Sequence, residues 1–236
     1  MLTVNFDRLA LAPGKSLLDV GCGEGRHACE AYSRPGIKCV AVDLDPENVN
    51  KTAGMLAQME KAGMGRGGTW KALCADSTCL PFDDASFDAI ICAEVMEHIP
   101  DNKMAASEIA RVLKPGGVLA VSVPRYFPER VCWALSLEYH SNPGGHIRIY
   151  KKREIQALIE ATGLQCTGSH YCHALHSFYW WLKCACGVRN ENAPLVKAYH
   201  RLLVWDIVKK PRLTRTLDRL LNPIVGKSIV LYFKKV

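Results

Sequence analysis

The stretch Leu17 to Gly25, Leu-Leu-Asp-Val-Gly-Cys-Gly-Glu-Gly, limits the folds open to this chain more than any other. Leu17, Leu18 and Val20 form the apolar run of a buried strand. Gly21, Gly23 and Gly25 let the backbone turn sharply and pass close to a ligand, because no Cβ intervenes. A helix running on through residues 26–32 would aim its free N–H groups and positive dipole end at that ligand. Asp19 sits just before the turn, where a carboxylate can meet a cationic group. A dinucleotide site asks for G-x-G-x-x-G and sets a pyrophosphate on the helix. Here the spacing is G-x-G-x-G with an acid ahead of it, which favours a ligand with a positive centre and no pyrophosphate.

The residues that follow alternate between strand and helix patterns. A second strand is predicted over 37–44, with Asp43 near its carboxyl end, where an acid can accept hydrogen bonds from a ribose diol. Pro46 opens a helix over 46–62 that runs into Gly63, Gly65, Gly67 and Gly68. A third strand over 69–75 ends at Asp76 and Ser77, on the side where open α/β sheets bind ligands. The competing role for Asp76 is to cap the next turn. A fourth strand over 89–93 leads into Glu94-Val95-Met96-Glu97-His98-Ile99. A helix over 101–113 stops at Lys114-Pro115-Gly116-Gly117, and a fifth strand spans 118–123. This βαβ order implies a doubly wound, mostly parallel sheet. Ahead of it, residues 2–12 read as a short helix stopped by Pro13-Gly14.

Five stretches in this order, Leu17–Gly25, the strand ending at Asp43, Cys74-Ala75-Asp76-Ser77, Leu80–Ile91 and Ala110–Pro124, resemble the class I S-adenosylmethionine-dependent methyltransferases. The resemblance covers residues 14–125. It implies a Rossmann-like seven-stranded sheet with an antiparallel edge strand, and S-adenosylmethionine as cofactor. It also implies that Asp19, Gly21, Cys22, Gly23, Gly25, Asp43, Leu44, Asp76, Ser77, Ala93 and Glu94 hold that cofactor, with Asp76 on the adenine amino group. The reaction implied is an in-line displacement that needs no covalent protein nucleophile. Strand four ends in Cys-Ala-Glu-Val-Met-Glu. The Asn/Asp-Pro-Pro-aromatic arrangement of family members that methylate planar amino groups is missing, which argues against a DNA amino-methyltransferase, and no RNA-binding module is appended.

The substrate side should come from the second half. Residues 126–145 read as irregular and aromatic, followed by an extended run in which His146, Arg148 and Tyr150 share a face. His146 is the first candidate for a proton acceptor and His98 the second. Tyr126, His140, Arg148, Tyr150 and Trp180 are candidates for lining the acceptor pocket. The competing role for His146, Arg148 and Tyr150 is to latch the loop by hydrogen bonds. A helix then stops at Gly163, and a sixth strand is predicted over 165–171. His170, His173 and His176 recur every third residue, but they straddle a strand-to-helix change that would scatter them, so no metal site is expected.

The last strand is predicted over 228–233, so residues 174–225 are expected to form an inserted helical cap. Of the net charge of +7, residues 183–236 hold 12 Lys or Arg against three Asp or Glu, leaving the rest of the chain at −2. Leu195, Val196, Tyr199, Leu202 and Leu203 make one apolar stripe. Leu213, Leu217, Leu220 and Leu221 make another, opposite Arg212, Arg215 and Arg219. Such helices suit an anionic membrane surface, and a helix packed on its own domain carries the same stripe.

At 236 residues and 49% hydrophobic, the chain fits a single domain. It divides into a cofactor core (14–125), a substrate-side loop, helix and strand (126–173), the cap (174–225) and a final strand (226–236). The 11 cysteines lack a CxxC pair and read as reduced thiols, and nothing near Met1 reads as an export signal. The expected setting is therefore cytoplasmic, with the basic cap a candidate contact for the inner membrane face. The activity expected is methyl transfer to a small, lipophilic acceptor through oxygen. The alternatives are an RNA methyltransferase using the basic segment, or a non-catalytic partner with the same fold.

Overall fold

The computed structural model describes residues 2–141, 145–190 and 192–236. A seven-stranded sheet runs in the order β3-β2-β1-β4-β5-β7-β6. The strands are β1 (Ser16–Val20), β2 (Lys38–Asp43), β3 (Thr69–Cys74), β4 (Phe87–Ala93), β5 (Leu113–Pro124), β6 (Leu164–Cys172) and β7 (Ser228–Lys235). The pairs from β3 across to β5 are parallel. The antiparallel strand is β7, which inserts between β5 and the edge strand β6. The sheet's first strand is central and its topology reverses there, so the carboxyl ends of β1 and β4 open onto a crevice.

Alternation along β1 divides the core in two. Leu18 and Val20 face α3 (Asn102–Val112) and α6 (Lys152–Glu160). Leu17 faces α1 (Arg26–Tyr32) and α2 (Pro46–Lys61). Asp19 shares the α1 side and is buried there. At the opposite, amino end of β4, Asp88 binds Lys15 and Lys114, each at 2.8 Å, and accepts from the Ser16 backbone N–H. Burial works against its charge, but these partners outweigh it and hold the carboxyl well below the usual range.

Three segments differ from expectation. The helix expected over 2–12 is only a single 3-10 turn, Phe6–Arg8. Val4, Phe6 and Leu9 are buried one by one, and the Asn5 N–H donates to the Tyr232 hydroxyl, so the segment packs as a strap. Ala10 has φ of 50°, which ends any helix there. Residues 126–141 are not irregular. They form α4 (Tyr126–Leu135) and α5 (Leu137–His140), with Pro128 tolerated in the first turn of α4. Asn142, Pro143 and Gly144 lie outside the described residues. β5 begins at Leu113, five residues early, because its ladder opposite Phe87 resumes at Val118 after a register shift.

The cap forms as three helices, α7 (Ala174–Ala185), α8 (Pro194–Lys209) and α9 (Arg212–Val225). The helix α7 packs against α4, α8 and α9. No residue of α9 is buried, and its outer stripe of Leu213, Leu217, Leu220 and Ile224 is exposed. Among the described residues, no helix is long and apolar enough to cross a membrane.

Candidate active site

The carboxyl ends of β1, β2, β3 and β4 bound a cavity of about 840 Å³. That is within the ordinary range for an organic cofactor. Of the residues singled out in the sequence for cofactor contact, Gly21, Gly23, Asp43, Leu44, Asp76, Ser77 and Glu94 line it. Val95, His98, Ile99, Asn48 and Thr78 line it as well.

The glycine turn is held by sterics. Gly21 and Gly23 have φ of 66° and 53°, where a side chain is strained. A Cβ on Gly21 would stand 2.3 Å from Val95 Cγ2, and one on Gly25 would stand 2.7 Å from Thr52 Oγ1. Thr52 donates from Oγ1 to the Gly23 carbonyl at 2.9 Å, a support with no sequence signal, since 29 residues separate them. Asp43 Oδ2 accepts from the Gly23 N–H at 2.8 Å. Its Oδ1 accepts from the Asp45 N–H and from Asn48. The acid at the end of β2 therefore also fixes the turn beside it. Asp76 Oδ1 accepts from the Thr78 N–H and hydroxyl, which hold its carboxyl below its ordinary value. The capping role weighed for Asp76 is thus present, on a residue that lines the cavity.

Asp19, Cys22, Gly25 and Ala93 stand behind the cavity and do not line it. Burial pushes the Asp19 carboxyl up to about 7, against a hydrogen bond from Ala28 and the charge of Arg26. Its Oδ2 has no partner among the described residues. Glu94 occupies the left-handed region at φ of 60°, and the Ser122 hydroxyl donates to its Oε1. An unstrained residue would turn the chain away here. A non-glycine residue kept in this conformation points to a functional constraint at the end of β4.

Beside this cavity lies a polar cluster that the sequence only half disclosed. His146 Nδ1 meets Glu129 Oε1 at 2.6 Å, and Lys227 stands 3.7 Å from Glu129 Oε2. Burial works to raise Glu129, but His146, Lys227 and Tyr139 outweigh it and hold the carboxyl below its ordinary value. The other face of His146 looks toward Glu97, with Nε2 4.0 Å from Oε1. The imidazole of His98 packs edge-on to that of His146, with ring centroids 5.0 Å apart. Tyr139 and Trp180 wall the cluster, with Trp180 close to Lys227. Glu129 carried no sequence signal, because it fell in a segment read as irregular loop.

The other substrate-side candidates are placed elsewhere. Arg148 donates to the carbonyls of Ile99 and Pro100, and the Tyr150 hydroxyl donates to the Met96 carbonyl. Both tie down the segment after β4, as in the latch role weighed for them, and neither lines this cavity. His140 is exposed and stacks on Trp133, outside the cavity. Tyr126 lies in a small separate cleft under Lys151. A second large cavity, about 800 Å³, lies between residues 2–5, α1 and the cap. It is lined by His170, His173, His176 and Asp218, and none of the strand-end acids reaches it.

A glycine turn, two strand-end acids and a strained glutamate around one crevice define a nucleoside-binding α/β enzyme of the class I methyltransferase type. The family model for a methyltransferase domain matches residues 2–168, and the chain belongs to that family. It is similar to the O-methyltransferase rstn1 of Aspergillus nomiae, 33% identical over 116 residues, 49% of each chain. It is likewise similar to the demethylmenaquinone methyltransferase of Renibacterium salmoninarum, 32% identical over 153 residues, 60% of each chain. The chain thus spans about half the length of the curated relatives it matches. Among solved structures, a geranyl diphosphate methyltransferase in complex with S-adenosylmethionine superposes with a TM-score of 0.61 at 16% identity. That superposition covers 98% of this chain and 82% of the other, a likeness of fold.

Proposed function

We propose that the protein is an S-adenosylmethionine-dependent methyltransferase acting on a hydroxyl group of a small, lipophilic organic molecule. The convergence of Gly21, Gly23, Asp43, Asp76 and Glu94 on one cavity carries this reading. The residues fit the cofactor. Gly21 and Gly23 line the cavity without side chains, so bare backbone faces the space where an amino-acid arm must pass. Asp43 faces the cavity as a ribose acceptor, and Asp76 as a base contact. Leu44, Val95 and Ile99 give an adenine apolar walls. When bound, S-adenosylmethionine supplies a methyl group already activated on a sulfonium. This leaves the protein to orient the acceptor, exclude water and favour loss of the acceptor's proton. The Glu97–His98–His146 cluster, backed by Glu129, lies beside the pocket, reaches it through His98 and is suited to that last task.

The O-methyltransferase supports an oxygen acceptor by name, and the demethylmenaquinone methyltransferase supports a lipophilic, quinone-like molecule. The cap supports a lipophilic one. The exposed stripe of α9 runs beside Arg212, Arg215 and Arg219, the pattern of a helix lying on an anionic membrane surface. The test is methyl transfer from labelled cofactor to a panel of phenols, quinols and total RNA. Label on the oxygen of a phenol or quinol supports the reading, and label on a ring carbon overturns the hydroxyl acceptor. Label in RNA alone replaces it with the nucleic-acid alternative. Failure to bind S-adenosylhomocysteine replaces it with the non-catalytic one.

A further inference from the structure

We infer that Glu97, His98 and His146 form a binding site for one divalent first-row transition ion at the edge of the cofactor cavity. One ligand atom from each lies within 4.8 Å of the others. The inference rests on the reading of an oxygen acceptor and says how that oxygen is held and ionised.

Three independent observations point to a cation. The Glu97 side chain is completely buried, and neither of its oxygens has a hydrogen-bond partner among the described residues. A carboxylate taken out of water with nothing bound to it costs several kcal/mol, about the largest penalty a single side chain incurs. Oε1 lies 4.0 Å from His146 Nε2. Next, the local charge is unbalanced. Glu94 and Glu129 add to the negative field at Glu97, and Lys227 is the cation that offsets it. Among the described residues, Lys227 pairs with Glu129 at 3.7 Å and not with Glu97.

Finally, His146 is set up as a ligand. Its Nδ1 is tied to Glu129 at 2.6 Å, which orients the ring and turns Nε2 toward Glu97. Carboxylate–imidazole–metal triads use this arrangement to orient the ring and raise its basicity.

The geometry closes with small movements. Metal–ligand bonds of about 2.0–2.2 Å put tetrahedral ligand atoms roughly 3.4 Å apart. The His146 Nε2 to Glu97 Oε1 separation is 4.0 Å, so a bound ion would draw the pair together by about 0.6 Å. Two imidazoles and one carboxylate suit Mn²⁺, Co²⁺, Fe²⁺ or Zn²⁺ better than Mg²⁺ or Ca²⁺, which prefer all-oxygen shells. Three protein ligands leave a coordination position open, the mark of a catalytic site and not a structural one. His98 also lines the cofactor cavity, so the open position falls on the acceptor's side. An acceptor hydroxyl bound there would lose its proton to water at neutral pH, as metal-bound water does.

The test uses the whole chain, stripped with chelator, and MnCl₂ as probe. Mn²⁺ is chosen because exposed Cys74 and Cys79 would capture Zn²⁺. Water-proton relaxation should report one Mn²⁺ per chain. Glu97→Gln and His146→Ala should each weaken it at least about tenfold, and Glu129→Gln by about 10- to 100-fold. His98→Ala, at an exposed position, serves as the variant least able to disturb folding. No Mn²⁺ binding by the wild-type protein, or wild-type Mn²⁺ affinity retained by both Glu97→Gln and His98→Ala, overturns the inference and leaves Glu97 a buried neutral acid. S-adenosylhomocysteine affinity, measured in the same samples, separates the two failures. If it is retained while Mn²⁺ is not bound, the metal site falls and the methyltransferase reading stands.

Discussion

Gly21→Ala is the substitution whose cost can be worked most directly from the structure. Gly21 has φ of 66°, and holding alanine there costs about 1–2 kcal/mol. The added methyl would stand 2.3 Å from Val95 Cγ2 and 3.0 Å from Cγ1, against a carbon–carbon optimum of about 3.5–4.0 Å. Valine is stiff at χ1 and cannot swing aside, so overpacking adds about 1–3 kcal/mol. The sum, roughly 2–5 kcal/mol, should lower Tm by about 4–20 °C in a chain of this size. Val95 lines the cofactor cavity, so its displacement should also weaken S-adenosylhomocysteine binding at least about tenfold. Gly23→Ala is the matched comparison. Its φ is 53°, but a Cβ there meets nothing within 4 Å, so only the backbone cost of about 1–2 kcal/mol applies. Denaturant melts of Gly21→Ala, Val95→Ala and the double variant should give a coupling of about 1–3 kcal/mol, as the smaller side chain relieves the overlap. If Gly21→Ala costs no more than Gly23→Ala and the coupling is zero, the steric explanation of the turn is wrong.

Asp43→Ala should weaken S-adenosylhomocysteine binding by about 1–3 kcal/mol in calorimetry, because the Gly23 N–H loses its acceptor along with the ribose. Asp19 is raised to about 7 in the fold from an unfolded 3.8, so the folded state holds a proton that the unfolded chain releases. Its stabilising proton is fully present below about pH 4 and lost as pH rises to 7. Asp19→Asn should therefore gain stability over wild type across that window, by up to about 4 kcal/mol, and a constant difference would contradict the assignment. Leu217→Glu with Leu220→Glu should abolish sedimentation with anionic vesicles while leaving S-adenosylhomocysteine affinity unchanged. Retained vesicle binding would remove α9 from that surface.

What the sequence disclosed follows from how local each signal is. The first four strands of the sheet were legible because each ends in a turn residue or acid whose constraint is written within a few positions, as at Gly21, Asp43, Asp76 and Glu94. The cap's existence was legible from the length between β6 and β7. The helix α4 was not, because its aromatic, proline-containing start mimics a loop and its burial depends on α7, far along the chain. For the same reason Glu129 escaped notice, since its meaning comes from His146 and Lys227 and from no pattern around itself. Arg148 and Tyr150 shared the alternation of His146 but point at the carbonyls after β4, which periodicity cannot distinguish from a pocket. Thr52 looked like any helical residue until the fold brought its hydroxyl to the Gly23 carbonyl.

Two cavities of nearly equal volume, about 840 and 800 Å³, compete for the cofactor, and locating the bound molecule decides between them. A crystal structure of the protein with S-adenosylhomocysteine should place its ribose hydroxyls on Asp43 and its adenine beside Asp76, over the bare backbone of Gly21 and Gly23. The ligand seated instead among His170, His173 and Asp218, with the strand ends left to solvent, would contradict the site assigned to it.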